Sequence, residues 1–77
     1  QQLVPLRRRL MVAIDGSENS EYLVRASRKL AERRSAPWLV VFVDTGGIPE
    51  ERRRAVESVF ALARRLGAET EWLRGHQ

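Results

Sequence analysis

The residues best suited to ligand chemistry are Asp15-Gly16-Ser17, which follow the uninterrupted apolar run 10–14. In an open α/β sheet, small ligands bind at the carboxyl ends of the strands, and this segment would lie at such an end. Ser17 is a good N-cap for a following helix, and a phosphate could also be bound at that helix N-terminus. Two interpretations therefore stay open: a ligand contact, or a turn that organises the start of the helix.

The other residues with potential chemistry give weaker indications. Gly46-Gly47 lacks the Lys-Ser/Thr of a phosphate-binding loop. His76 is the only histidine and has no plausible nucleophilic partner, and cysteine is absent. No paired carboxylates, metal-ligand spacing or catalytic triad stands out. We therefore predict no catalytic residue and no metal site.

The segments around these residues alternate between strand and helix patterns. The apolar runs 10–14 and 38–43 are too short for typical helices and are typical of strands buried on both faces. Apolar and small residues recur every three or four positions in 18–34 and 50–66, which predicts two amphipathic helices. Residues 68–73 alternate between apolar and polar, as in an edge strand.

This order predicts an α/β fold, β-α-β-α-β, with a parallel three-stranded sheet. Right-handed crossovers would give the strand order 3-2-1, with both helices on one face. Residues 1–8 are interpreted as a linker, and 9–77 as the domain, which would stop before a fourth strand. The first strand would then be an unprotected edge, apolar on both sides. We infer that the chain is half of a larger doubly wound unit or completes itself with another chain.

Composition excludes several classes of protein. The chain has 77 residues, 43% of them hydrophobic, so one small packed domain is expected. The net charge is +4, but the arginines are interspersed with acidic residues on predicted helix exteriors, so we expect a solvated surface and no nucleic-acid partner. No apolar run approaches the roughly 20 residues that span a bilayer, and no signal peptide is recognisable, so no membrane insertion is expected.

Several stretches in order resemble a known family. Residues 12–20, 23–31, 36–45 and 61–70 are similar to a universal stress protein domain, and more closely to the one within the KdpD sensor histidine kinases, which respond to potassium limitation and osmotic stress. Pro37-Trp38 before the second strand and Leu66-Gly67-Ala68-Glu69 before the third favour the sensor-kinase branch. The resemblance extends over 9–73.

The resemblance implies a fold and a ligand. The family has a five-stranded doubly wound sheet, of the adenine nucleotide alpha hydrolase type, of which this chain would be the first half. In nucleotide-binding members, positions corresponding to Asp15 and Val43 flank the adenosine, with Gly16 and Ser17 in the same turn. The glycine motif for the phosphates lies beyond this chain, so no cofactor is expected here, although the complete domain would bind adenine nucleotide.

The predicted function is that of a cytoplasmic regulatory module in a two-component sensor kinase of this family, without catalysis of its own. The alternatives are a free-standing nucleotide-binding stress protein and a pure interaction domain. Its partners would be the other domains of the parent kinase and a second copy. We expect a homodimer formed through the first strand or through the sheet face that lacks helices.

Overall fold

The fold alternates strands and helices after an initial hairpin. A computed structural model describes residues 2–6 and 9–75. Its elements are β1 (Gln2–Leu6), β2 (Arg9–Ile14), α1 (Asn19–Arg34), β3 (Trp38–Asp44), α2 (Glu50–Arg65) and β4 (Glu69–Arg74). The α/β class and the two helices are confirmed, and the three predicted strands correspond to β2, β3 and β4.

The sheet has four strands in the order β1-β2-β3-β4. Strands β2, β3 and β4 are parallel, with Ile14 beside Phe42 and Phe42 beside Trp72. Strand β1 is antiparallel to β2, with Leu3 opposite Val12. The predicted sheet of three parallel strands is therefore wrong in its strand number, because an antiparallel strand extends it.

Strand β1 also corrects the interpretation of residues 1–8 as a linker. Residues Gln2–Leu6 belong to the sheet and pair with β2 along its length. The linker interpretation came from the polar residues of this segment, which is apolar only at Leu3, Val4 and Leu6. Its Pro5 is compatible with an edge strand, where a missing N–H costs no ladder bond. The expectation that β2 would be an exposed edge is wrong for the same reason.

The core lies on one face of the sheet. Helices α1 and α2 contact each other and pack on this face, α1 mainly against β2 and α2 mainly against β4. Alternate residues of the two central strands enter the core, namely Leu10, Val12, Ile14, Trp38, Val40 and Phe42. The Phe42 and Trp72 rings meet edge to face with centroids 4.9 Å apart, which adds directional contacts to the area buried.

The opposite face of the sheet is apolar and carries no helix of the described part of the chain. We call it the open face, and it consists of Met11, Ala13, Leu39, Val41, Val43 and Leu73. These residues alternate with core residues along β2 and β3 and continue onto β4.

Two buried serines on α1 differ in their hydrogen bonding. Ser20 is fully buried, and its Oγ accepts the Gly16 N–H at 3.1 Å. Ser27 is 2% exposed, and its Oγ has no hydrogen-bond partner among the residues that the structure describes. A buried hydroxyl without a partner keeps the cost of its desolvation and gains nothing in return.

The same substitution should therefore have opposite effects at these two positions. We expect Ser27→Ala to raise the free energy of unfolding by about 1 kcal/mol, because it removes an unsatisfied hydroxyl. Ser20→Ala should lower it by about 1 to 2 kcal/mol, because it leaves a backbone N–H without its acceptor. Urea denaturation of the parent and both variants measures this, and a stability loss in Ser27→Ala would contradict it.

Candidate functional site

The candidate site is the carboxyl edge of the sheet, where β2 and β3 end side by side. The last paired residues are Ile14 and Phe42, so Asp15 and Val43 follow at the same level of the two strands. Val43 belongs to the open face and is 49% exposed. The turn of Asp15, Gly16 and Ser17 instead packs against α2 on the other face. The four predicted site residues thus share one edge of the sheet, with Val43 on one face and the turn on the other.

Asp15 organises the turn between β2 and α1. Its Oδ1 accepts the Ser17 N–H at 2.9 Å and the Ser20 hydroxyl at 3.4 Å. A carboxylate that accepts the amide two residues onward forms an Asx turn, which fixes the direction of the chain. The sequence left two roles open for Asp15, a ligand contact and the organisation of a turn. These contacts show that it organises the turn.

The prediction of Ser17 as the N-cap of α1 is wrong. Helix α1 begins at Asn19, and its N-cap is Glu18, whose own φ and ψ are helical and whose side chain makes no capping hydrogen bond. The Ser17 amide is oriented toward Asp15, and its carbonyl accepts the Ser20 N–H at 3.0 Å. The Asx turn therefore replaces a side-chain cap in starting this helix.

Gly16 lies where the turn meets α2. Its φ is +82°, and a Cβ built on it would lie 2.9 Å from Val56 Cγ2 and 3.1 Å from Arg52 Cγ. Arg52 Nη1 donates to the Asp15 carbonyl at 2.9 Å, which ties α2 to the turn. A depression of about 290 Å³ lies beside this contact, lined by Gly16, Pro49, Glu51, Arg52 and Ala55.

Asp44, at the end of β3, is the residue of this edge that sequence reasoning missed. Its side chain is 3% exposed. Oδ1 accepts the Gly46 N–H at 2.8 Å, and Oδ2 accepts the Trp72 indole N–H at 3.0 Å. Arg74 Nη1 lies 3.6 Å from Oδ2. The Gly46 amide, followed by the Trp72 indole, lowers the pKa of Asp44 below its ordinary 3.8, with smaller contributions from Arg74 and Arg53.

Trp72 connects Asp44 to the core. Its ring also meets Phe60 edge to face, with centroids 6.1 Å apart. The Arg53 guanidinium carbon lies 5.5 Å from the ring centroid, within cation–π distance. One indole thus joins β3, β4 and α2 at the carboxyl edge.

Two further observations concern only residues 2–6 and 9–75. They contain no group of three or more acidic or histidine side chains placed to hold a metal ion. Neither helix has the length and apolarity needed to cross a membrane. His76, a candidate that the sequence had already discounted, lies outside the described residues.

The fold and the carboxyl edge define a small α/β domain with a mainly parallel sheet and an aspartate-organised turn at the usual ligand position. No protein-family model matches the chain. It is 42% identical over 67 residues to the sensor protein KdpD of Escherichia coli (strain K12), an alignment that includes 83% of this chain and 8% of KdpD. The chain is a KdpD-related domain, and it spans less than a tenth of that relative's length.

Gly16→Ala should show how closely α2 packs on the first turn. We expect a loss of about 2 to 3 kcal/mol in the free energy of unfolding, the sum of left-handed backbone strain and overpacking against Val56. Gly47→Ala is the matched control, since Gly47 has φ +69° but nothing within 4 Å of a built Cβ. It should cost only about 1 kcal/mol. Equal losses in urea denaturation would contradict the close approach.

Asp44→Asn should lower the melting temperature, because an asparagine has only one oxygen to offer to two donors, the Gly46 amide and the Trp72 indole. The control is Glu71→Gln, which neutralises an exposed carboxylate on β4 that forms no ion pair with another described residue, and it should leave melting nearly unchanged. Thermal unfolding followed by circular dichroism makes the comparison. Equal melting of the Asp44→Asn variant and the parent would show that the carboxylate is not needed.

Proposed function

We propose that this domain is a cytoplasmic regulatory module of a two-component sensor histidine kinase of the KdpD kind, responsive to potassium and osmotic stress and without a reaction of its own. The observation that carries the proposal is the 42% identity to the sensor protein KdpD, which extends over most of the chain. The universal stress protein fold is part of the same proposal and rests on the resemblance of residues 12–20 and 61–70.

The structure of the carboxyl edge is compatible with a regulatory role. Asp15 and Asp44 each use a carboxylate oxygen to hold a backbone amide two residues onward. Arg52 and Trp72 connect these two strand ends to α2 and β4. Because these contacts hold the edge rigid, the domain would move as one rigid body when another part of a larger protein binds or pushes on it.

The alternative is a nucleotide-binding universal stress protein. The observation in its favour is the placement of Asp15 and Val43 at the same level of adjacent strands, as expected for residues that flank an adenosine. Against it, Asp15 already holds the turn through Ser17 and Ser20. Calorimetric titration of the chain with ATP distinguishes the two: micromolar binding that Asp15→Ala abolishes would favour the alternative.

An exchange of segments tests the regulatory proposal. The segment of Escherichia coli KdpD that matches this chain would be replaced by the residues of this chain, and kinase output would be measured at low and high potassium. We expect the chimera to keep its response to potassium limitation, because the exchanged domain would perform the same role. A chimera carrying Gly16→Ala should show a weakened response, since the exchanged domain is then destabilised.

The opposite result would be an unresponsive chimera that is present at the normal level and still folded. Folding of the exchanged domain would be judged by limited proteolysis. Such a chimera would overturn the assignment of this domain to KdpD-type signalling.

A further inference from the structure

The bond between Asp15 and Gly16 carries a chemical reactivity that the proposed function does not involve. It is the single place in the sequence where an aspartate directly precedes a glycine. Because glycine has no Cβ, little hinders its amide nitrogen from attacking the neighbouring side-chain carboxyl group. Asp15 is exposed, so the water that the later step of this reaction needs can reach it.

The reaction is an intramolecular rearrangement whose only co-reactant is water. The Gly16 nitrogen forms a bond to Cγ of Asp15, and one carboxyl oxygen leaves as water, taking with it the amide proton and the carboxyl proton. Water then adds to either carbonyl of the cyclic imide and cleaves its bond to the nitrogen. Cleavage on one side restores aspartate, and cleavage on the other gives isoaspartate, in which the main chain runs through the side-chain carbons.

In the folded chain, hydrogen bonds hold both polar ends of the peptide group that joins these two residues. The Gly16 N–H donates to Ser20 Oγ at 3.1 Å. The Asp15 carbonyl accepts from Arg52 Nη1 at 2.9 Å. The cyclic imide has no amide proton, and its ring requires a backbone orientation at the aspartate outside the ordinarily occupied regions. The peptide group must therefore rotate, and both hydrogen bonds must break, before the ring can close.

Two further contacts oppose the same rotation. A Cβ built on Gly16 would lie 2.9 Å from Val56 Cγ2, so α2 packs closely against the turn on that side. Oδ1 of Asp15 accepts the Ser17 N–H at 2.9 Å, which keeps the carboxyl group engaged with the amide beyond the reactive one. A packed and hydrogen-bonded segment opens only at a cost in free energy, which lowers the fraction of molecules able to react.

We propose that Asp15-Gly16 is a latent site of isoaspartate formation, and that Ser20 and Arg52 keep it unreactive by holding its peptide group. These two side chains then protect the residue that organises the first turn. Isoaspartate at this position would lose the Asx turn, because the lengthened main chain would no longer place the carboxylate beside the Ser17 amide. Ser20, which is fully buried at the start of α1, thus has a use beyond its contribution to stability.

Incubation of the folded 77-residue chain at neutral pH tests the proposal, with isoaspartate at Asp15 measured over time by mass spectrometry. Proteolytic cleavage after Glu18 gives a peptide that contains Asp15 and excludes Asn19, which can form a cyclic imide of its own. The same chain in concentrated urea gives the rate of the unprotected pair. We expect the folded chain to react at least about tenfold more slowly than the unfolded chain, since both hydrogen bonds must first break.

Ser20→Ala removes the acceptor of the Gly16 amide and should speed isoaspartate formation in the folded chain about fivefold. Its control is Ala26→Gly, at an exposed position of α1, which lowers helix stability by a similar amount but leaves the turn contacts in place. This control should react at the parent rate in buffer. In urea all three chains should react equally, because the reactive pair itself is unchanged.

Arg52→Ala gives an independent test at the other end of the peptide group. It releases the Asp15 carbonyl and should speed the reaction about threefold to fivefold. The matched control is Arg54→Ala, because Arg54 forms an exposed ion pair with Glu50 of its own helix, and it should react at the parent rate. Circular dichroism verifies that each variant is folded.

Two results would overturn the proposal. One is a folded parent chain that forms isoaspartate as fast as it does in urea, since the contacts would then give no protection. The other is an equal acceleration by Ser20→Ala and Ala26→Gly, which would assign the protection to the stability of the whole domain.

Discussion

The buried carboxylate of Asp44 is the contact on which the carboxyl edge of the sheet depends. It ends the central strand β3, holds the Gly46 amide that begins the next loop, and accepts the indole N–H of Trp72 on β4. A buried carboxylate needs such partners, because burial without them would be costly. Trp72 in turn contacts Phe42 and Phe60 in the core. Loop, edge strand and core are thus fixed relative to one another by one side chain.

The neighbouring central strands β2 and β3 end in the same kind of turn, each organised by an aspartate. Asp15 after β2 and Asp44 after β3 each accept the amide two residues onward, at 2.9 and 2.8 Å. At the first end, the turn is then packed against α2 through Gly16, where a side chain would meet Val56. At the usual ligand position of an α/β sheet, the aspartates of this chain therefore make contacts that brace the fold.

The sequence predicted the elements whose signals are local. The apolar runs of β2 and β3 and the helical periodicity of α1 and α2 are confirmed, because each depends only on nearby residues. Strand β1 was missed, since its few apolar residues among polar ones show no strand pattern and the strand depends on its pairing with β2. Ser17 was mistaken for an N-cap because serine is a favoured cap residue, whereas the helix begins one position later, with Glu18 at the N-cap.

The role of Asp44 depends on contacts that sequence patterns do not reveal, since its partner Trp72 is 28 residues further along. One local signal was present: Asp44, like Asp15, directly follows an apolar run and precedes a glycine within two residues. That signal predicts the Gly46 contact but not the burial of the carboxylate, which arises when α2 and β4 pack beside it.

The most direct test of this account is a nuclear magnetic resonance titration of the Asp44 carboxyl carbon, with the Gly46 amide and Trp72 indole protons followed in the same samples. Because the folded pKa is lowered, the stabilising contribution of Asp44 is complete above the ordinary value of 3.8 and is lost as the pH falls through the folded pKa. We predict a midpoint below 3.8 that all three signals share. A midpoint at or above 3.8, or donor protons that do not follow the carboxyl carbon, would contradict the central role of this carboxylate.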